Sequence, residues 1–562
     1  MQKTAIHIIL LIVLVQLAHP ALVGQSPVIP GVAERVILFT DRSLYVAGEN
    51  ICFSATILPG NPTMETGYSS VLYMEMISSA NNPAITGKFR INHPVCTSCF
   101  KIPENLPTGI YYVKAYTRYM RNFGPESFSY NQVRIINPVE SSKEVEDQRV
   151  NIQGSSEYFI SGFKDYKLLE MITDKARYRQ RDTVSVSIKP GITAGSIRSA
   201  CISAIPACSG NNKIIATNKG HAVNGNLQYI PEYYGITLTG LVTDKVSGAP
   251  LPLRRVDLTL LGSSRDFISV LTGSDGRFFI SMPDITGQRD IFIGTEDPDS
   301  VAPSILVDND FCPYSIPIPG QAFTLSEDEQ VTALNLLRNF RISSVFSPGN
   351  PQRMGDTVTD YNTPFYGEPV RTLDLNDYIP LPTLENYFNE LSFLVKVRKT
   401  NGKKYLKIQG TSPETDIYPP LVLMDMVAVY DHNPLLSLLP GSISHIDIIN
   451  EPYVKGNIIY GGIVSIFSKN NDFAGIDLPR SGLFIRYDFF SSPPSVNYSL
   501  TSGDIPDARN TLYWNGNLRI KVGTVNTINF VTGNSLGRYD IVLSGVLNDG
   551  TAFAESVSFV VE

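Results

Sequence analysis

One stretch of the chain occurs twice. Thr40-Asp41-Arg42-Ser43-Leu44-Tyr45 is followed by Gly48-Glu49 and then by Ile51, Phe53 and Ala55 at alternate positions. Thr173-Asp174-Lys175-Ala176-Arg177-Tyr178 is followed by Arg181-Asp182 and by Val184, Val186 and Ile188. The offset is 174 − 41 = 133 residues. Each copy reads as a polar turn that delivers a tyrosine, then a strand with one apolar face. A repeat at that spacing means two domains of one kind, not a short-period solenoid.

The rest of the chain fits a mostly β protein. A length of 562 residues allows about three to five domains. The aromatic residues are 28 Tyr and 27 Phe with one Trp, and 38 Pro and 42 Gly punctuate the sequence throughout. Strands favour such aromatics, and turns favour such punctuation. Charged residues make up 18%, below the roughly 25% of typical soluble proteins. The chain is too apolar to be disordered. With 46 Lys+Arg against 53 Asp+Glu, a net charge of −7, it lacks the basic stripe of a nucleic-acid binder.

Lys3 followed by the apolar run from Ile8 to Leu17 has the form of a secretory signal peptide over residues 1–25, with cleavage placed before Ser26. An uncleaved anchor is the alternative, but the run is short of the ~20 residues a membrane helix needs. Loss of Lys3 makes the mature balance 45 − 53 = −8. No later segment is long and apolar enough to span a bilayer as a helix. The expected location is the periplasm, the outer membrane or the cell surface.

Export places six cysteines, Cys52, Cys96, Cys99, Cys201, Cys208 and Cys312, where disulfides form. Six cysteines allow 15 pairings. Cys96, Cys99, Cys201 and Cys208 are the candidates for bonding, with buried thiols as the alternative. The spacing Cys96-x-x-Cys99 lacks both the βαβ context of a redox motif and the second ligand pair of a zinc site. His93, His221, His432 and His445 show no metal spacing, and His432 and His445 lie 13 apart. Asp275-Gly276 and Asp308-Asn309-Asp310 read as turn chemistry.

The expected fold is mainly β: tandem macroglobulin- or immunoglobulin-like β-sandwiches plus one small α+β module. The expected spans are a sandwich over 33–138, a linker over 139–164 and a second, short copy over 165–233, with completion by later strands as the alternative. A further sandwich follows over 234–310, then a connector over 311–363. Within the connector Ser326-Glu327-Asp328-Glu329 is a capping box opening a helix over 327–340. The α+β module covers 364–470, and a C-terminal sandwich covers 480–562.

Four resemblances refine this. Thr40-Asp41, Tyr45 and Gly48-Glu49, with Gly109-Ile110-Tyr111 and Ala115 to Phe123, resemble the macroglobulin-type β-sandwich of envelope proteins from Bacteroidetes-like bacteria. Ile236 to Ile293, with Asp275-Gly276-x-Phe278, resembles a carboxypeptidase regulatory-like sandwich. Leu421 to Asp425, Ile446 to Ile449 and Tyr460-Gly461-Gly462-Ile463 resemble the plug of TonB-dependent receptors, with Met426 where such plugs carry glycine. Asp507 to Asn515 resembles the final β-domain of the same barrel-less envelope proteins.

These resemblances imply binding or assembly in the envelope rather than catalysis. About 95 residues after the module cannot supply a receptor barrel. No Gly-Cys-Gly-Glu-Gln thioester, Gly-x-Ser-x-Gly elbow, His-Glu-x-x-His or phosphate loop occurs. The expected function is a non-catalytic scaffold with no cofactor and no metal. The alternatives are an accessory of TonB-dependent uptake working with a separate barrel, or a protease-interacting protein without a thioester. Expected partners are an outer-membrane barrel or envelope protein and a surface glycan or peptide, with no nucleic acid and no membrane span. The expected interaction surface is Tyr116, Tyr119, Arg121, Phe123, Tyr366, Asp425 and Tyr460, drawn from Tyr-rich loops such as Tyr116 to Phe123 and Tyr361 to Tyr366.

Overall fold

A computed structural model describes residues 34–562 except 60–68, 140–157, 163–168, 192–196, 211–212, 218–226, 263–265, 299–300, 319–320, 347–363, 392–393, 401, 411, 493–504 and 522. The segment 1–25, Tyr361 and most of 139–164 lie outside the described residues. The fold is mainly β, three sandwich units and one α+β unit.

In the first unit the strands Arg35–Thr40, Asn50–Leu58 and Val95–Lys101 form one sheet. The facing sheet is built on Val71–Ser78, Gly109–Tyr116 and Ser129–Ile136. Ile51, Phe53, Ala55 and Ile57, alternate residues of one strand, are buried in the core between the sheets. The facing sheet continues through Lys213–Thr217 to Tyr158–Gly162. Thus part of the expected linker is a strand, because its backbone completes a sheet edge.

The repeat is a hydrogen-bonded turn, made identically in both copies. Tyr45 donates its hydroxyl to Asp41 Oδ1 at 2.8 Å, and Tyr178 to Asp174 Oδ1 at 2.7 Å. The same oxygens accept the backbone N–H of Cys52 and of Ser185, each eleven residues on. The N–H groups of Arg42 and Lys175 reach the tyrosine oxygens at 2.9 and 3.0 Å. Glu49 accepts from Val46 N–H, and Asp182 from Arg179 N–H. Arg42 and Lys175 lie over their own tyrosine rings at 4.6 and 5.5 Å. The motif therefore pins the start of a strand to the turn before it.

The surroundings of the two copies differ. In the first, Asn510 donates to Glu49 Oε1 and Thr511 to Asp41 Oδ2, both at 2.7 Å. There Gly48 has φ of +93°, and a Cβ would stand 2.8 Å from the ring of Phe340 on the long helix Glu327–Phe346. Arg181, the counterpart of Gly48, keeps a positive φ of 60°. Its side chain reaches Asn534 and the carbonyl of Ile505. Asp174 and Lys175 stay exposed.

The second unit is discontinuous. Leu169–Thr173 and Thr183–Pro190 pair in one sheet with Asn526–Val531. Ile197–Pro206 pairs in the other with Tyr513–Asn515 and Gly537–Leu547, and Ala552–Val561 closes that sheet. Its core joins Val184, Val186 and Ile188 to Ile541, Leu543 and Phe559. The tail therefore forms no sandwich of its own: its apolar faces complete the second copy.

The third unit stacks Thr237–Asp244, Arg277–Ser281 and Pro303–Val307 on a second sheet of Arg255–Leu260, Asp266–Leu271 and Gln288–Thr295. Leu483–Asp488 adds the fourth strand of that second sheet. So residue 310 does not bound this unit, and the α+β unit is an insertion within it. The helix opens on the expected capping box, Ser326 N–H to Glu329 Oε2 at 2.9 Å and Glu329 N–H to Ser326 Oγ at 3.3 Å. Its buried face, Ala333, Leu336 and Asn339, docks between the first two units, and it runs six residues past Phe340, where Arg341 donates to the Pro138 carbonyl and Ser343 to the Ala508 carbonyl.

One hydrophobic core runs through the first and third units, and buried polar groups lock that joint. Glu232 Oε1 accepts from Tyr73 Oη at 2.9 Å and Thr237 N–H at 2.7 Å, with the Arg118 guanidinium 3.8 Å away. Lys88 pairs with Asp310, and Tyr487 donates to the same carboxylate at 2.6 Å. Burial pushes the Glu232 carboxyl up to about 7, against an ordinary 4.5. A raised folded-state value means this group's stability contribution is full below pH 4.5 and lost as pH rises through 7. Glu232→Gln should remove that slope, worth roughly 3 kcal/mol. Urea midpoints of both proteins at about pH 5 and about pH 8 measure it.

In the fourth unit the strands Arg371–Asp374, Ile443–Ile449, Ile463–Ser468, Leu421–Met424 and Val427–Ala428 lie in that order. The helices Leu384–Glu390 and His432–Leu436 pack on them. Asp425 and Met426 form the two-residue turn between paired Met424 and Val427, at φ of 48° and 72°. Met426 thus takes the left-handed conformation expected of glycine. Its carbonyl accepts from Thr259 Oγ1 at 2.8 Å, which ties the turn to the third unit.

Cysteine pairing corrects the expectation. Cys52 bonds Cys99, which stands directly opposite it in the register of Asn50–Leu58 on Val95–Lys101. Cys96 and Cys99 are three positions apart in one strand and so point to opposite faces. Cys96 faces the core. Cys201 is buried in the strand Ile197–Pro206 while Cys208 is exposed beyond its end. Seven residues, about 3.3 Å each while extended, keep those two thiols apart.

Candidate functional site

A cleft of about 1030 Å³ opens between the third and fourth units. One wall is the hairpin Val395–Thr400 and Lys403–Ile408, which presents Thr400, Lys403, Lys404 and Tyr405. Its sequence dictates it: Val395, Leu406 and Ile408 are buried, and Asn401-Gly402 is a strong hairpin signal. The opposite wall carries Glu296, Asp297, Asp477 and Arg480. Asp297 Oδ2 accepts from Arg480 N–H at 2.5 Å, which joins the loops before and after the insertion.

The floor follows the turn at Asp425. Tyr430 donates to Asp257 Oδ2 at 2.5 Å, and Arg255 lies 4.7 Å over the Tyr430 ring. Ser269 donates to Asp257 Oδ1, and Tyr460 to Ser269 Oγ at 2.8 Å. Burial raises the Tyr430 hydroxyl well above its usual value, so it stays protonated and donating. This network crosses from one unit to the other and holds the cleft walls in register.

His432 sits in the lining but is engaged by the fold. Its Nδ1 accepts Leu406 N–H at 3.0 Å, and Asn433 Oδ1 accepts Lys404 N–H at 3.1 Å. These side chains cap the outer edge of the hairpin, which would otherwise offer unpaired N–H groups. Burial lowers the imidazole to about 4 from 6.5, so Nδ1 is free of a proton at neutral pH. A depressed value in a base means stability is lost as pH falls from 6.5 towards 4. The effect is roughly 3 kcal/mol at most. Denaturant midpoints between about pH 7 and about pH 4 should show it in the native chain and not in His432→Gln. The other histidine of this unit, His445, stacks on Phe467 at 4.4 Å.

Six of the seven residues expected to form an interaction surface are buried inside the molecule, and Arg121 is half-buried. Tyr116 is fully buried, donating to Glu75 at 2.8 Å and accepting from Cys312 N–H at 2.7 Å. Tyr119 and Phe123 are buried edge to face at 5.4 Å. Arg121 lies 4.3 Å over the Tyr229 ring and reaches the carbonyl of Asp310. Tyr366 donates to Asp447, and Tyr460 belongs to the floor network. Asp425 accepts from Ser468 N–H, Ser468 Oγ and Phe473 N–H. A tyrosine buries its ring readily once its hydroxyl finds a partner, and Tyr116, Tyr366 and Tyr460 each find one within the chain. Of these seven residues none lines the cleft. The sequence signal for its wall was Asn401-Gly402 between Val395-Lys396-Val397-Arg398 and Lys404-Tyr405-Leu406.

No protein-family model and no curated protein matches the chain. Among solved structures, a Salmonella alpha-2-macroglobulin aligns at 9% identity and TM-score 0.24, covering 94% of this chain and 39% of its own. An Escherichia coli alpha-2-macroglobulin activated by porcine elastase gives 8%, 0.24, 94% and 44%. Dimeric latent PorU from Porphyromonas gingivalis gives 8%, 0.16, 49% and 34%. This chain thus spans about two fifths of the length of those macroglobulins. Likeness at that level transfers neither activity nor partners.

Proposed function

We propose that the chain is a non-catalytic binding or assembly scaffold of the cell envelope, which holds a polar ligand or partner segment in the cleft between the third and fourth units. The observation that carries this reading is the cleft itself. Its walls bear both charge signs and an exposed tyrosine, and its floor is fixed by the Arg255, Asp257, Ser269, Tyr430 and Tyr460 network. A preorganised, mixed polar cleft suits recognition. Export is supported by the pattern of Lys3 and Ile8 to Leu17. A photo-crosslinking side chain in place of Asp477 tests the site in intact cells. A discrete adduct in the envelope fraction is the expected result. Recovery of the protein in the cytoplasm, absence of any adduct, or turnover of a peptide or glycan library by purified protein would each overturn the reading.

An accessory role in TonB-linked uptake with a separate barrel is the second reading. It is supported by the α+β build of the fourth unit and by the Leu421 to Asp425 and Tyr460 to Ile463 patterns within it. In that case the adduct is an outer-membrane barrel.

A further inference from the structure

The ion pair of Lys88 and Asp310 joins two units far apart in the chain. Lys88 lies in the strand Pro83–Arg90 of the first unit. Asp310 follows it by 222 residues, just beyond the strand Pro303–Val307 of the third. Their side chains are 2% and 11% exposed. The Lys88 Nζ also donates to the carbonyl of Asp488 at 2.6 Å and lies 4.0 Å over the Tyr487 ring. Tyr487 turns its hydroxyl to Asp310 Oδ2, the same oxygen that Lys88 meets. Both backbones are held. Lys88 exchanges two hydrogen bonds with Ser491, and Arg121 donates to the carbonyl of Asp310.

This arrangement is that of two reactants. A buried ion pair keeps two charges out of water at a cost. Passing one proton from ammonium to carboxylate neutralises both and leaves an amine against a carboxylic acid. Groups held in such contact can react with an effective molarity of about 10⁵ M and above. The Tyr487 hydroxyl already donates to Oδ2, where negative charge gathers when an amine adds to the carboxyl carbon. Burial, with the Asp310 charge, holds Glu232 up to about 7, so the same joint contains a carboxyl that carries a proton near neutral pH.

We propose that Lys88 and Asp310 close an intramolecular isopeptide bond between the first and third units. The Nζ lone pair adds to Asp310 Cγ and an N–C bond forms. Oδ1 leaves with two of the three ammonium hydrogens as one water, and the third hydrogen stays on the amide. The balance needs no further reactant. The product keeps the same partners: its N–H stays with the Asp488 carbonyl, and Oδ2, now the amide oxygen, stays with the Tyr487 hydroxyl. The bond lies away from the cleft and stands or falls independently of what the cleft binds.

Tryptic peptides of the full chain, unfolded and reduced beforehand, test the proposal by mass spectrometry. The expected map lacks cleavage after Lys88. It contains one branched peptide that joins the segment ending at Arg90 to the segment holding Asp310, lighter than their sum by one water. Lys88→Arg should yield the two segments unlinked. Tyr487→Phe should slow closure about a hundredfold in freshly made protein, so that most of it is open when the native chain has closed. Melting curves confirm that each variant folds. Cleavage after Lys88 in the native chain, with no branched peptide, overturns the proposal. A branched peptide that survives Lys88→Arg overturns it as well. Closure of Tyr487→Phe at the native rate overturns the part given to its hydroxyl.

Discussion

Asp41→Ala is expected to cost about 3–5 kcal/mol of folding stability, whereas Asp174→Ala, at the matching position of the repeat, should cost about 1 kcal/mol. The local bonds are the same: each carboxylate holds a tyrosine hydroxyl and a backbone N–H eleven residues on. The difference lies in what stands around them. Asp41 and Arg42 are each 3% exposed, and Thr511 at 9% spends its hydroxyl on Asp41. Removing Asp41 strands a hydroxyl, an N–H and part of the charge balance of Arg42 away from water. Asp174 is exposed, so water takes its place. Urea unfolding of the two variants checks the ratio, and equal losses would contradict the buried joint.

Cys52→Ser should lower stability by about 4 kcal/mol in oxidised protein, the loop-closure value for two cysteines 47 residues apart. Reductant should shift the native chain by a similar amount and leave the variant unmoved. Cys96→Ser should change little beyond a local packing loss, because that thiol faces the core unbonded. A non-reducing peptide map decides the pairing directly. A Cys96–Cys99 link in that map would refute the register of the two strands.

Much of the fold was legible because its signals are local. The Asp and Tyr spacing, the alternating strands after it and the capping box at Ser326 each predict what their own neighbourhood does. The partners of the second copy were not legible in the same way. Val184, Val186 and Ile188 announce a buried face but not that Asn526–Val531 lies beside it, since pairing across more than 300 residues leaves no periodicity. The tyrosines misled for a related reason. Tyr116, Tyr366 and Tyr460 look like surface aromatics until their hydroxyl partners, Glu75, Asp447 and Ser269, are known. At the cleft, Asn401-Gly402 between two strand-like runs is a local hairpin signal, yet the opposite wall comes from another unit that no local pattern could bring near.

The way the units are threaded through one another has a consequence for folding during synthesis. Leu169 N–H bonds the carboxylate of Glu555, 386 residues later. A chain that emerges from its N-terminus would finish the fourth unit while the second still waits, half built, for Ala552–Val561. Its early strands would remain open edges throughout synthesis, when stray pairing is easiest. The strand Ala552–Val561 therefore works as a clasp: until it is made, the second sandwich stays unlatched, with its edges open to proteases.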